Sequence, residues 1–172
     1  MAILHRFDER DRALFNRLRF VRTTKPVWRS LALVLTHLGG ARATILLVIV
    51  PMFSPRSESA GLHGLYTLAL SHVLVQIVKR TVGRPRPSRS DDDVALIHEP
   101  DRFSFPSGHA AAAISLALAW SGAVPQLAIP LFVLAGVVGA TRVLLGVHYP
   151  GDVAVGQGIA VGTHWLLIAT GS

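Results

Sequence analysis

The chain contains no cysteine among its 172 residues. Disulfide bonds, thiolate metal sites and a cysteine nucleophile are therefore excluded, and the redox compartment stays open. Residues 1–25 also lack the apolar core of a signal peptide, so we expect no cleavage in this segment. The sequence has no evident internal repeat, and its low-complexity sequence is confined to residues 88–93.

What the chain has in excess is apolar sequence. Apolar residues make up 51% of it and its mean hydropathy is positive, which is too apolar for a typical soluble domain of this length. A membrane span needs about 20 residues. We therefore predict an all-α integral membrane bundle with five transmembrane helices. The candidate crossings are residues 43–53, 62–78, 110–119, 126–147 and 153–170; residues 26–38 are expected to be interfacial, or to provide a sixth crossing.

The N-terminal segment is basic within a chain whose formal net charge is +7. Apolar residues recur in it at spacings of three, four and seven: Phe7, Leu14, Phe15, Leu18 and Val21. This pattern predicts an amphipathic helix that lies on an anionic membrane surface. The alternative is an ordinary solvated helix packed against the rest of the domain.

The predicted crossings bring three polar clusters to one membrane face: residues 79–86, 106–109 and 142–152. Cations in these clusters are candidates for binding a phosphate, since arginine matches phosphate oxygens bidentately and lysine supplies a compact charge. The candidates are Lys79, Arg84, Arg86 and Arg142. Arg142 is notable because it interrupts an otherwise apolar run over residues 127–147.

The second cluster is Pro106-Ser107-Gly108-His109. Serine before an alanine-rich helix is a good N-cap, and a helix N-terminus presents unpaired N–H groups to anions. Glycine lets the backbone approach a phosphate closely. The segment therefore predicts a further part of a phosphate site, with His109 beside it.

The third cluster contains His148 and Asp152. A carboxylate on one imidazole nitrogen fixes the tautomer and raises the basicity of the other nitrogen. A metal site made of His109, His148 and Asp152 is the alternative, although the surrounding cations would repel a divalent ion. The aspartate run at residues 91–93 is more typical of a solvated turn.

In these motifs the chain resembles the type 2 phosphatidic acid phosphatase superfamily of membrane lipid phosphatases, which includes vanadium haloperoxidases. The family patterns Lys-x6-Arg-Pro, Pro-Ser-Gly-His and Ser-Arg-x5-His-x3-Asp match Lys79 to Pro87, Pro106 to His109, and Thr141 to Asp152, with threonine where serine is usual. The resemblance implies a catalytic membrane domain, which we assign to residues 41–172, after interfacial helices in residues 1–40.

The resemblance also implies roles for the site residues. His148 would be the nucleophile, Asp152 would orient it, and His109 would protonate the leaving alkoxide and then activate water. The phosphoryl oxygens would be bound by Lys79, Arg86, Ser107, Gly108 and Arg142, with Arg84 as a further candidate. No metal and no cofactor are implied.

The leading hypothesis is therefore a phosphatase of phosphatidic acid, phosphatidylglycerol phosphate or a polyprenyl mono- or diphosphate. The alternatives are a haloperoxidase-like enzyme that uses vanadate, and a membrane protein that binds lipid phosphate without catalysis. The expected partners are the lipid and the bilayer, with no nucleic acid; the oligomeric state stays open.

The positive-inside rule and the family resemblance indicate opposite sides of the membrane for the site. Of the 17 lysines and arginines, only Arg56 would lie on the face opposite the motifs, so the positive-inside rule favours a cytoplasmic site. The family resemblance implies an extracytoplasmic site on the bacterial inner membrane. We adopt the latter, because the motif cations serve phosphate.

Overall fold

A computed structural model of the chain describes residues 2–20, 24–87, 97 and 101–171, with side chains from residue 8 onward. The aspartate run at residues 91–93 lies outside the described residues. Within the described part of the chain there is no β-strand, only an isolated antiparallel bridge between Pro85 and Phe103. Seven α-helices are described: α1 Ala2–Leu18, α2 Pro26–Thr36, α3 Ala41–Ile49, α4 Glu58–Val82, α5 Gly108–Ala123, α6 Ala128–Leu144 and α7 Pro150–Thr170.

Three of the described helical segments are long and apolar enough to cross a membrane: Glu58–Val82, Pro125–Leu144 and Pro150–Thr170. A fourth span arises if Pro26–Gly39 and Ala41–Phe53 act together, since they pass the same test as a pair bent by 52°. The 16-residue helix α5 is about 24 Å long, short of a roughly 30 Å hydrocarbon core. The fold is thus a helical membrane bundle, and the count of five crossings stays a prediction.

Small residues build the centre of the bundle. Helix α5 packs on α4, α6 and α7 through a run of buried alanines from Ala110 to Ala113. Such residues let helix backbones approach closely, which is how membrane helices associate. At Gly64 of α4, for example, an added Cβ would collide with the Cβ of Ala119. Large apolar side chains instead lie on the outside, among them Leu46, Val73, Ile129 and Trp165.

The helix ends fix where the polar clusters lie. Helix α4 ends at Gly83, which adopts a positive φ of 64° and donates its N–H to the Lys79 carbonyl. This left-handed cap turns the chain sharply just after Lys79. Helix α5 begins after Ser107, whose Oγ accepts the Ala110 N–H at 3.4 Å. The end of α4 and the start of α5 are therefore sharply defined and lie at the same end of the bundle.

Helix α1 packs against this same end. The Phe15 side chain is buried against Tyr149 and Val143, and the Phe20 N–H donates to the Leu144 carbonyl at 2.9 Å. Leu14 and Leu18 stay nearly half exposed. Val21 and the side chain of Phe7 lie outside the described part. Helix α1 thus docks on the bundle through one face, and its contact with a membrane surface stays a prediction.

Candidate active site

A cavity of about 640 Å³ opens where the end of α4 and the start of α5 meet the turn before α7. Five of the predicted site residues line it: Lys79, Arg86, Gly108, His109 and His148. Towards the other end of the cavity the walls become apolar and include Ile45, Leu65 and Leu68. The predicted residues therefore surround one space that has a cationic end and an apolar end.

His148 is 1% exposed, and its two ring nitrogens face different partners. Arg86 Nη1 lies 3.1 Å from Nε2, while Nδ1 lies 3.6 Å from Asp152 Oδ2. A guanidinium N–H can only donate, so Nε2 is the acceptor and the neutral ring carries its proton on Nδ1, facing Asp152. The longer distance exceeds that of a hydrogen bond, as is common for catalytic contacts before substrate binds.

Asp152 is fully buried and connects three parts of the site. Its Oδ2 accepts the Tyr149 N–H at 2.8 Å and so caps the first turn of α7. Its Oδ1 accepts from Arg84 Nη1 at 2.6 Å, and its backbone carbonyl accepts the Ser107 N–H at 2.9 Å. The carboxylate is held in place by these contacts, with Oδ2 turned towards His148.

Lys79 and Arg86 share a carboxylate that the sequence did not predict. Asp101 Oδ2 lies 2.8 Å from Lys79 Nζ, and Oδ1 lies 2.5 Å from Arg86 Nη2. Arg86 also donates to the Val147 carbonyl at 2.9 Å. Burial alone would raise the pKa of Asp101, but the hydrogen bonds from Lys79 and Arg86 outweigh it and hold the pKa below 3.8. A single acid in a loop rich in charged residues carried no signal that could have identified it.

Ser107 and Arg142 are both buried near this end. Ser107 caps α5, and Gly156 of α7 allows its backbone to approach, since an added Cβ there would collide with the Ser107 carbonyl. Arg142 Nη1 donates to Thr36 Oγ1 at 2.7 Å, and its carbonyl accepts the His148 N–H at 3.3 Å. The neighbouring Thr141 donates within α6 to the Val138 carbonyl. Through their backbones, Ser107 and Arg142 thus contact Asp152 and His148, respectively. Their contact with phosphate stays a prediction.

Arg84 has a different environment from the other predicted cations. Its guanidinium lies among the carboxylates of Asp8, Asp11 and Asp152, and 4.0 Å from the centre of the Tyr149 ring. Burial would lower the pKa of Arg84, but the charge of Asp152 and the hydrogen bonds to the carboxylates raise it. Asp8 and Asp11 were missed in the sequence, although two acids three residues apart on a basic helix share one face.

The described residues contain no group of three or more histidine, cysteine, aspartate or glutamate side chains that could hold a metal ion. His109, His148 and Asp152 do not form such a group, so the metal alternative lacks a donor set. The His148 ring instead lies beside the cation of Arg86 and the carboxylate of Asp152.

The model of the PAP2 superfamily matches residues 60–171, which is more than half of the chain. The chain belongs to this superfamily. Similar proteins include the decaprenylphosphoryl-5-phosphoribose phosphatase of Mycolicibacterium smegmatis, 42% identical over 51% of this chain and 47% of that protein. The lipid A 1-phosphatase of Rhizobium johnstonii is 33% identical over 56% of this chain and 41% of that protein. The aligned region thus spans about half the length of these PAP2 relatives.

Two solved PAP2-like structures have the same fold. The transmembrane PAP2 type phosphatidylglycerolphosphate phosphatase of Bacillus subtilis superposes with a TM-score of 0.76 at 26% identity, over 95% of this chain and 85% of that one. LpxE of Aquifex aeolicus gives a TM-score of 0.79 at 27% identity, over 91% of this chain and 93% of that one. These likenesses extend over most of the described bundle, including helices that precede the PAP2 match.

Proposed function

We propose that the chain is a membrane phosphatase that removes a phosphate from a lipid through a phosphohistidine intermediate. The observation that carries this proposal is the cavity, which joins Lys79, Arg86, His109 and His148 at one end to apolar walls at the other. A lipid phosphate has the same division into a dianionic head and an apolar chain. The names of the PAP2 relatives, which are phosphatases of lipids, support the same class.

In the first step, His148 Nε2 attacks phosphorus and the bond from phosphorus to the lipid oxygen breaks. His109, protonated beforehand, gives its proton to the leaving alkoxide. In the second step, neutral His109 takes a proton from water, the hydroxide attacks phosphorus, and the bond to Nε2 breaks. Inorganic phosphate leaves and His148 is restored.

The cations would stabilise the negative charge that develops on the phosphoryl oxygens in both steps. Arg86 lies beside Nε2 and Lys79 lines the same cavity, so fixed positive charge would meet the negative charge that develops on the phosphoryl oxygens. Arg86 would exchange its contact with Nε2 for a phosphoryl oxygen, which frees the nitrogen lone pair for attack. Gly108, Ser107 and Arg142 complete the proposed phosphate contacts, whereas Arg84 is engaged by carboxylates.

We also propose the arrangement in the membrane. Residues 41–172 form the catalytic domain, and the bent pair, α4, α5, α6 and α7 cross the inner membrane five times, with α5 as a short crossing. The ends of α4 and α6 and the starts of α5 and α7 then share one face, placed on the extracytoplasmic side.

The side can be tested because the chain has no native cysteine. Thr81→Cys lies at the motif end and Ser54→Cys at the opposite end, and both positions are exposed. In intact cells, a membrane-impermeant maleimide should label Thr81→Cys and leave Ser54→Cys unlabelled until the cells are lysed. Labelling of Ser54→Cys alone would place the site in the cytoplasm.

The activity is tested with purified protein in detergent micelles by measuring phosphate release from phosphatidic acid after dialysis against excess EDTA. Turnover should persist, because Lys79 and Arg86 supply the positive charge that a metal ion would otherwise supply. The variant His148→Ala should have no turnover. Turnover that disappears with EDTA and returns with magnesium or zinc would contradict the cationic mechanism. Sustained bromination with vanadate, peroxide and bromide, without phosphatase activity, would favour a haloperoxidase-like enzyme.

A further inference from the structure

Helix α1 reaches the site through two carboxylates that hold one guanidinium, which we call the clamp: Asp8, Asp11 and Arg84. Arg84 Nη2 donates to Asp8 at 2.6 Å, and Nη1 donates to Asp11 at 2.7 Å. The same Nη1 donates to Asp152 at 2.6 Å. The side chains of Arg84 and Asp11 are only 13% and 5% exposed. Arg84 and Asp11 are thus buried while Asp8 is 42% exposed, and Arg84 is directly bonded to the residue that faces His148.

The shared Nη1 matters because a guanidinium tends to bind a carboxylate with two parallel N–H groups. If both terminal nitrogens of Arg84 bound Asp152, they would take Oδ2 as well as Oδ1. In the structure Asp8 occupies Nη2 and Asp11 shares Nη1, so Arg84 binds Oδ1 alone. Oδ2 therefore keeps its position 3.6 Å from His148 Nδ1.

Asp11 also fixes the helix that carries Asp152. Its second oxygen, Oδ1, accepts the Gly151 N–H at 2.8 Å, in the first turn of α7. A carboxylate at a helix N-terminus is stabilised by the unpaired N–H groups there. One side chain of α1 thus holds both the arginine partner of Asp152 and the backbone beside it.

We propose that Asp11 is a positioning residue for the phosphatase reaction, acting through Arg84 and Asp152 on the orientation of His148. Helix α1 is then a part of the active site as well as a membrane-surface element. This proposal rests on the proposed function, since it concerns the efficiency of the same nucleophile.

The test is a double-mutant cycle with Asp11→Asn and Asp152→Asn. Asp11→Asn removes a charge without changing the shape, and it should lower kcat about tenfold with KM unchanged, as partners of catalytic groups do. In the Asp152→Asn background the same substitution should change kcat less than about twofold, because its route to His148 is already lost. Glu9→Gln, an exposed carboxylate on the same helix, is the control and should leave kcat unchanged.

Equal losses of kcat in both backgrounds would show that Asp11 supports the fold alone, and an unchanged kcat for Asp11→Asn would refute the proposal as well. If Asp11→Asn does not fold, Asp11→Glu is tested in the same cycle, since it keeps the charge but displaces the carboxylate from Arg84 and Gly151. It should lower kcat in the wild-type background more than in Asp152→Asn, and equal losses would again refute the proposal. The chemical shifts of the His148 Nδ1–H group, read from the spectrum of ¹⁵N-labelled histidine, do not depend on turnover. They should change in Asp11→Asn because Asp152 Oδ2 changes its position beside Nδ1, and an unaltered spectrum would contradict the proposal even if the chain has another activity.

A second, independent observation concerns the wall of the cavity below Lys79. His72 and Gln76 line it on α4, and their Nε2 atoms lie 3.4 Å apart. At 1.5 Å per residue they lie about 10 Å and 5 Å along the helix from Lys79. The next residues of α4 that line the cavity are Ala69, Leu68 and Leu65. We call His72 and Gln76 the polar band.

Polar side chains at membrane depth are costly unless something uses them. The polar band offers hydrogen-bonding side chains between a cationic zone and an apolar zone, in the wall of the proposed substrate cavity. We infer that the substrate class carries an uncharged hydrogen-bonding segment, such as a glycerol ester or a sugar, between its phosphate and its chain. A polyprenyl phosphate, whose apolar chain begins at the phosphate ester, would place no hydrogen-bonding group beside the band. This inference also rests on the proposed function.

The test compares kcat/KM for phosphatidic acid and farnesyl phosphate in the same micelles. The wild-type chain should prefer phosphatidic acid by at least about tenfold, because a site that hydrogen-bonds a substrate group discriminates against a substrate that lacks the group. The double variant His72→Leu, Gln76→Leu should bring this ratio close to one. Val73→Leu changes the outward face of the same helix and should keep the ratio. A wild-type preference for farnesyl phosphate, or a ratio that the double variant does not alter, would refute the inference, whereas hydrolysis of neither lipid would refute the proposed function itself.

Discussion

Two charged clusters flank the pair formed by His148 and Asp152, and their compositions are opposite. On the cavity side, the described ion pairs of Lys79 and Arg86 are with the carboxylate of Asp101, whose side chain is 44% exposed. On the α1 side, the described carboxylates around the guanidinium of Arg84 are those of Asp8, Asp11 and Asp152. Cations that line an open cavity can accept an anion, whereas a guanidinium enclosed by carboxylates can only hold a neighbour in position.

The contrast is sharpest for Arg84 and Arg86, which are two residues apart. Their residue types are the same, yet Arg86 contacts the nitrogen that would attack and Arg84 contacts the carboxylate behind it. Alternation along an extended segment would turn residues two apart to the same side, so the different partners of the two arginines follow from the contacts of each guanidinium and not from strand alternation. The partners of each arginine, rather than its position in a motif, indicate its task.

The largest expected effect comes from removing a cation on the cavity side. Arg86→Ala should lower kcat/KM at least about a thousandfold, the range measured for arginines that stabilise phosphoryl transfer. Arg80→Ala, at an exposed position on α4, is the control and should stay close to wild type. Steady-state phosphate release measures both. A loss smaller than about tenfold for Arg86→Ala would mean that the cavity cations do not meet the transition state.

Asp152 lies between the two clusters, and its substitution should have the next largest effect. Asp152→Asn keeps the size of the side chain but can present an amide to Nδ1, which favours the wrong tautomer of His148. We expect a loss in kcat on the order of a hundredfold or more, as for the orienting aspartate of serine proteases. Circular dichroism should show an unchanged helix content. A kcat within threefold of wild type would show that the contact at 3.6 Å has no role in catalysis.

The smallest effect is expected at Asp101, which competes with substrate for the same cations. Asp101→Asn should lower KM severalfold with little change in kcat, because the phosphate dianion no longer competes with the Asp101 carboxylate for Lys79 and Arg86. Asp8→Asn, the matched change on the α1 side, should not lower KM. If Asp101→Asn instead raises KM, the carboxylate arranges the cations rather than competing with substrate.

The lowered pKa of Asp101 also fixes the direction in which its contribution to stability changes with pH. Its pKa in the folded protein lies below 3.8, so its ion pairs stabilise the fold fully above that value and are lost as the pH falls through the lowered pKa. The melting temperature of Asp101→Asn should therefore lie below that of wild type near neutral pH, and the difference should shrink as the pH approaches 3. A difference that grows on acidification would contradict this assignment.

On the cavity side, most of the residues that line the candidate site could be predicted from the sequence. Lys79, Arg86, Gly108, His109 and His148 come from short segments at helix ends, and the alternation of apolar runs already put those ends on one face. The all-helical fold followed from the same runs. The number of crossings did not, because α5 is short and the break at Gly40 leaves α2 and α3 bent relative to each other.

The α1 side could not be predicted in the same way. Asp11 lies 73 residues before Arg84 and 140 before Gly151, and no local pattern reports contacts over such separations. Arg84 was assigned to phosphate because its type and position fit, while the carboxylates that engage it come from another helix. Asp101, His72 and Gln76 were missed for the same reason, since each becomes informative only when its neighbours across the cavity are known.

The most direct measurement is the site of phosphorylation during turnover. Lipid labelled with ³²P at the phosphate is mixed with the chain, the reaction is quenched in alkali, which preserves phosphohistidine, and the labelled peptide is identified. The account predicts label on His148 and none in His148→Ala. In His109→Ala, label should accumulate only from a labelled substrate whose leaving group needs no proton, because His109 also protonates the lipid alkoxide. Label on His109 in the His148→Ala variant would contradict the assignment of the nucleophile.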